Sequence, residues 1–505
     1  MLDTIISLAD LITKQKLYKV EIIDEVKNPT TKIGRFYQNV SNGTFKTEEQ
    51  AAESLGYSGP TDKNYNNLKS DLFNRMVNSV FFIDQSSSLY SDSLTAAKNA
   101  FKNYSAIRLL IGSRKRDIAI DLAHKTIKVS KKYGFTDLNY LLASILTDHY
   151  AAIAFDKSKY NKYKKFKNYY LKAMIAENDI RELKAIFDME LSKSGTGLNE
   201  KKLHEHAENI NTIRKTQKEI HTYRYNLFAY LYQINFFLET RKYTELITLA
   251  DEALHFFKKQ GINSMDAEFM IKIRAGLAYF MLKDYKSAEN YFIMLNKISR
   301  PNTTNWYSTY NYLSSLYINT ERYLDTYDIL TIVFNSPNFE KAHPIIVQLF
   351  KIKEAYFHFL IELGKIDPSK SKEKPLRKFR LGRFLNETPI FSKDKRGVNI
   401  SILIIQMILL VQNKKYGEII DKLDALNMYS HRYLRSDNTF RSNCFIKMLA
   451  KLPDADYHPI RWERYVKKYR QRLEEHPFEL SYHNIDLEVI PFETLYDLVI
   501  EMLEK

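Results

Sequence analysis

Gly276-Leu277-Ala278-Tyr279, then Asp284-Tyr285-Lys286-Ser287-Ala288, then Phe292 and Leu295: this stretch sets two helices against each other across a short polar turn. Gly276 and Ala288 are small, as two helices require where their backbones come closest. Tyr279, Tyr285 and Phe292 are large enough to fill the gaps beside them. The flanking sequence keeps the same period. Tyr223, Leu227, Tyr230, Leu231, Ile234, Phe237 and Leu238 share one helical face at spacings mostly of three and four, as do Leu246, Leu249, Ala250, Ala253, Leu254 and Phe257. Breakers stand between such runs: Gly261, Pro301, Pro337, Pro344, Pro368, Pro375, Pro453 and Pro459.

The turn recurs. A short polar turn followed by a helix opening on Tyr or a charged residue stands near Lys115, Tyr160, Asn199, Tyr243, Tyr285, Tyr323, Lys372, Tyr416 and Arg461, at steps averaging about 43 residues. Arg116-Asp-Ile-Ala119-Ile-Asp-Leu122-Ala123 repeats the pattern well, Arg241-Lys-Tyr243 and Glu321-Arg-Tyr323 repeat its turn, and residues 344–386 repeat it least. The stretch around Gly276 resembles a tetratricopeptide (TPR) repeat: a small residue, an aromatic, a turn before a second aromatic, then Ala and a third aromatic. Leu295 stands where that family usually has Ala, and Pro301 falls one place late. The resemblance implies an all-α, right-handed α-solenoid of helix hairpins, with peptide or partner-domain binding on its concave surface. Each hairpin buries its apolar faces only by stacking on its neighbours.

The chain then reads as three parts. Residues 1–95 form a helical block, with helices expected around 1–16, 47–56 and 63–83 and a polar linker Gln85-Ser-Ser-Ser88. Residues 96–475 form the TPR-like solenoid, and 476–505 a cap. The cap ends in an amphipathic helix with Phe492, Leu495, Leu498, Val499 and Leu503 on one face, shielding the open end of the core.

Composition agrees. The 505 residues are 45% hydrophobic and 27% charged, with 14 Gly and 12 Pro, too few turn residues for an all-β sandwich or a phosphate-cradling loop. The lone Cys444, among apolar neighbours, reads as a small buried residue and cannot make a disulfide within the chain. Met1 to Lys16 carries Asp3 and Asp10 with no basic start, so it reads as an amphipathic helix and not a signal peptide. The most apolar run, Ile400 to Val411, is too short to span a bilayer. A cytoplasmic protein that makes no membrane contact is the expectation.

The net charge of +16 sits in the middle of the chain: residues 101–400 carry +18 and each flank −1. A lysine-rich composition of this kind (with abundant Tyr, Phe, Ile and Asn) also follows from an AT-rich genome. Two basic stretches are candidates. Lys157, Lys159, Lys162, Lys164, Lys165 and Lys167 interleave with aromatics and are weaker candidates for nucleic acid; Tyr163, Phe166 and Tyr170 fall on one helical side and read as core, leaving the lysines as a solvated face. Lys372, Lys374, Arg377, Lys378, Arg380 and Arg383 are the stronger candidates for a partner or anion. Arginine forks onto carboxylate or phosphate, Pro368 and Pro375 mark an irregular segment, and a spacing of three would align the arginines on one helical face.

Thr47-Glu-Glu-Gln50, Ala52 and Gly56 look like the first half of a helix-turn-helix DNA reader. Gly59-Pro60-Thr61-Asp62 lengthens the turn, Asp62 stands where an apolar residue belongs, and the block is slightly acidic, which favours a plain helical hairpin. Signatures of catalysis, metal and cofactor binding are lacking. His204 and His206 are two apart and point to different sides of a helix. Arg214…His221 and Arg470…His476 have the Arg–His spacing of a helical nuclease family, at a frequency that chance supplies. The expected function is therefore a non-enzymatic scaffold or sensor that takes a protein or peptide partner and needs no cofactor or metal. A nucleic-acid-linked regulator and a helical nuclease are the alternatives.

Overall fold

The computed structural model describes residues 31–80, 92–194, 198–261, 265–387, 398–419, 423, 440–476, 478 and 488–505. Among them there is helix and turn and no strand. The expected helix over 1–16 and the linker at 85–88 lie outside the described residues. The chain divides into two compact units, residues 1–174 and 175–505.

The first unit opens with α1 (Lys32–Ser41), α2 (Glu48–Ser54) and α3 (Lys63–Val80), gathered around Phe36, Ala52, Tyr65 and Leu72. α4 (Asp92–Gly112), α5 (Arg116–Lys132) and α6 (Thr136–Ala152) follow as antiparallel neighbours. Ala119, Ala123 and Ala143 are fully buried among them, small residues where helices cross, with Leu138, Leu142 and Leu146 filling the remainder. α7 (Lys157–Ser194) is the longest helix, and the division between the units falls within its range.

The second unit continues with α8 (Glu200–Gln217), α9 (Tyr223–Glu239), α10 (Tyr243–Gln260), α11 (Met265–Met281), α12 (Tyr285–Ile298), α13 (Thr304–Asn319), α14 (Tyr323–Phe334) and α15 (Pro344–Glu362). Each packs on the next, and alternate members also meet: α9 on α11, α11 on α13, α13 on α15. This sequential stacking separates two kinds of helix. α11, touched from several directions, is buried nearly all round, whereas α12 buries a single stripe, Ala288, Phe292 and Leu295.

One backbone turn closes these hairpins. Arg114, Arg241, Lys283, Glu321 and Lys414 all have positive φ, between 52° and 62°. In each case the next amide donates to the carbonyl five residues back: Lys115 to Leu110, Lys242 to Phe237, Asp284 to Tyr279, Arg322 to Tyr317 and Lys415 to Leu410. This is the Schellman closure of a helix C-terminus, built here on long charged residues in place of glycine. The polar turns expected near Lys115, Tyr243, Tyr285, Tyr323 and Tyr416 are this one structure. Asn199 is the N-cap of α8.

The turn expected at Lys372 is a correction. α15 ends in the same closure, with Gly364 at φ +81° and the Lys365 amide on the Leu360 carbonyl, but no outer helix follows. Pro368 opens a single 3-10 turn, and residues 371–380 run as irregular chain until α16 (Leu381–Glu387). Lys370 to Lys374 offers no apolar face, and Pro375 removes an amide and disfavours helix before it. Arg377 and Arg380 are therefore not helical, and the three arginines do not share a helical face.

The apolar run beginning at Ile400 is α17 (Val398–Gln412), buried at every position from Asn399 to Val411. It packs on α15, α18 (Phe440–Leu449) and α20 (Phe492–Glu504), and α19 (Pro459–Glu475) packs on α18 and α20. The face expected on α20 is the buried one, with Phe492, Leu495, Leu498 and Val499 inside. No described helix is long and apolar enough to cross a membrane.

Candidate functional site

Residues 371–380 lie across α14 and α15 as a strap without regular secondary structure. Its chemistry follows from a few contacts. Ser371 Oγ donates to Asp328 Oδ1 at 2.5 Å, and the Leu376 amide donates to the Tyr327 hydroxyl at 3.2 Å. Arg377 forks onto both oxygens of Glu354, at 3.2 and 3.3 Å, lies 3.9 Å from Glu340, and stacks its guanidinium 4.9 Å from the Phe334 ring centroid. Phe379 packs on the His358 ring at 4.4 Å. Burial is uneven: Leu376 and Phe379 are half-buried, whereas Lys372, Lys374, Arg377, Lys378 and Arg380 are exposed. The strap is pinned at both ends, by Ile366 and by Phe384 of α16, which are 5% and 7% exposed.

Of the six stronger candidates, then, Arg377 is held on Glu354 while still partly open to solvent, and Lys372, Lys374, Lys378 and Arg380 are exposed. Arg383 is exposed on α16. The sequence reading missed Glu354, whose side chain is only 9% exposed. It also missed Lys353 beside it, 2% exposed, whose Nζ donates to Asn311 O, Asn311 Oδ1, Ser314 Oγ and Ser315 Oγ of α13 at 2.8–2.9 Å. The adjacent charges Lys353 and Glu354, flanked by the mainly apolar runs Leu349–Ile352 and Ala355–Leu360, were the available signal. Burial pulls the His358 pKa down against the opposing pull of Glu362 and Glu354.

The lysines of α7 are arranged differently. Tyr163 and Phe166 pack on the first unit's core and Tyr170 is buried, so the aromatics are core as expected. Lys157, Lys159, Lys162, Lys164 and Lys165 are exposed and Lys167 is half-buried. Several lie along aromatic faces: Lys159 over Tyr150, Lys162 over Tyr163 and Lys164 over Tyr160, at 5.1–5.6 Å. Lys159 also pairs with Asp156 at 3.3 Å. Behind them His124 bridges two stacked tyrosines, with Nε2 2.8 Å from the Tyr150 hydroxyl and Nδ1 3.1 Å from that of Tyr163. Burial lowers the His124 pKa, and Lys159, His149 and Lys162 push the same way against Asp121.

The remaining candidates are absorbed by the fold. His204 is exposed, while His206 is buried between Tyr232 (2.7 Å) and Glu190 (2.9 Å), so the two histidines do point apart. Among the described residues no cluster of His, Cys, Asp and Glu could hold a metal. Arg214 donates to Gln233, and Arg470 stacks on Tyr496 and pairs with Glu474. Cys444 is 4% exposed, and burial raises its thiol pKa. In the N-terminal block Ala52 is fully buried and Gly56 turns the chain at φ +78°. Asp62 replaces an apolar residue because Oδ1 caps α3, accepting from Asn64 and Tyr65 amides. Thr47 caps α2, its Oγ1 accepting from the Gln50 amide, and the Gln50 side chain accepts from the Lys46 amide.

No family model, curated protein or solved structure matches this chain.

Proposed function

We propose that the chain is a non-enzymatic, TPR-like partner-binding protein of the cytoplasm, a right-handed solenoid that holds an extended segment of another protein. The supporting observation is that this array already seats a non-helical segment of chain. Residues 371–380 lie across two successive helices through one backbone hydrogen bond, one forked ion pair and two apolar side chains. Stacked repeats suit such binding because successive helices present a continuous surface with side-chain groups at regular intervals. The test is a pull-down with the full chain from its native host, followed by affinity measurement with the purified partner. A partner held by apolar contacts keeps its affinity between about 50 and 200 mM salt, whereas a polyanion loses several decades over that range. A partner that proves to be nucleic acid would overturn the reading. The nucleic-acid alternative draws on one observation, the exposed lysine face of α7 above its aromatics, and the same titration decides it.

A further inference from the structure

Glu354 is the group to start from. Its carboxylate is 9% exposed, and Arg377 supplies its forked partner. A buried carboxylate that loses its guanidinium is destabilised, so a ligand that displaces Arg377 must bring a cation of its own. A lysine would be a poor substitute, because the two Glu354 oxygens are engaged by a planar fork and the same guanidinium covers Phe334. Two residues further along, Phe379 covers His358, and between them Lys378 points outward. Tyr327 offers a hydroxyl to a backbone amide. The face is thus a template for an extended chain with arginine, any residue, then an aromatic.

The strap that fills this template is lightly held. It replaces an outer helix that Pro368 and Pro375 prevent, its side chains are half-buried at best, and separate anchors at Ile366 and Phe384 secure its two ends. Elements with few buried contacts belong to the low-stability end of a fold and are the ones that open.

We propose that residues 371–380 are a displaceable internal ligand: they occupy, in cis, the docking site for a partner peptide carrying Arg-x-Phe in extended conformation. This rests on the partner-binding reading above and adds the chemistry of the partner and a gate. Tethered beside its site, the strap competes at an effective concentration of about millimolar. A partner must therefore exceed the strap in contacts, and any change that loosens the strap raises apparent affinity.

The probe is the labelled peptide Ser-Lys-Glu-Lys-Pro-Leu-Arg-Lys-Phe-Arg, the sequence of residues 371–380. Full-length chain carrying Arg377→Ala with Phe379→Ala is expected to bind it about tenfold or more tightly than wild type, since the competitor is gone. The same peptide with its Arg and Phe changed to Ala should not bind. Equal binding to wild type and variant, or none to a variant that keeps wild-type helix content and still unfolds cooperatively, overturns the proposal. A second measurement avoids weakening the fold: Asp328→Cys with Ser371→Cys pins the strap by a disulfide, and oxidation should reduce probe binding about tenfold against the same chain reduced. Unchanged binding on oxidation overturns it as well. If a purified partner binds the oxidised and reduced chains alike, partner binding stands and the gate falls; if no protein partner is found while the probe behaves as expected, the reverse holds.

Discussion

A β-carbon added at Gly276 would stand 2.8 Å from Cε1 of Phe292 and 3.1 Å from Cβ of Tyr291. Phe292 is fully buried and cannot swing away. Gly276→Ala gains about 1 kcal/mol of helix propensity, but the overpacking costs roughly 1–3 kcal/mol, so a lower melting temperature is expected. Ala288, also fully buried, gives the partner experiment: Ala288→Leu should destabilise by roughly 1–3 kcal/mol, read in the same melts. A second residue-scale prediction concerns acid. The pKa values of His124 and His149 are both lowered, chiefly by burial, so the folded state prefers neutral rings. Below the unfolded value of about 6.5 the unfolded chain binds more protons, and stability falls as pH falls from there until the folded pKa values are reached. Melts from pH 7.5 to 5.5 should show the decline, and His124→Gln should flatten it. These residues also show what could be read without coordinates: the smallness of Gly276 and Ala288 pointed to a contact, whereas nothing near His124 in the sequence announced Tyr150 and Tyr163.

At the scale of elements the hairpin turn and the strap make opposite cases. The turn is local: its hydrogen bond joins residues five apart, and its charged left-handed residue recurs at five of the nine expected turns. The strap is where that regularity ends, and it is also where the basic residues separate by role. Arg377→Gln leaves Glu354 without its fork. Because the Arg377 side chain is 45% exposed, solvent relieves part of the loss, and about 1–2 kcal/mol of stability is expected to disappear on thermal denaturation. For partner affinity, replacing Arg377, Arg380 and Arg383 together by Gln should have a clear effect. The matched set Lys157, Lys164 and Lys165→Gln should leave it unchanged, since those lysines stand on a solvated helix face. A loss of binding confined to the lysine set would move the site to α7.

For the whole molecule, two compact units predict unfolding that is not a single cooperative step. Calorimetry should resolve more than one transition. Leu142→Ala, deleting a fully buried side chain in the first unit, should lower one of them, and Gly276→Ala in the second should lower another. One sharp transition displaced equally by both changes would show the units to be thermodynamically inseparable. The sequence by itself determined that the chain is helical, where several of its polar turns fall, and that helices succeed one another at a recurring step outside the Lys372 segment. All of these rest on interactions between residues three to five apart, which the order of residues carries directly. Only the tertiary structure decided that α17 is enclosed on every side, that Lys353 lies among the oxygens of a helix about forty residues earlier, and that Glu354 and Arg377 meet. A charge in a sequence carries no mark of burial. Whether it is solvated, paired or caged depends on which distant surface closes over it, and that is settled by packing the whole array.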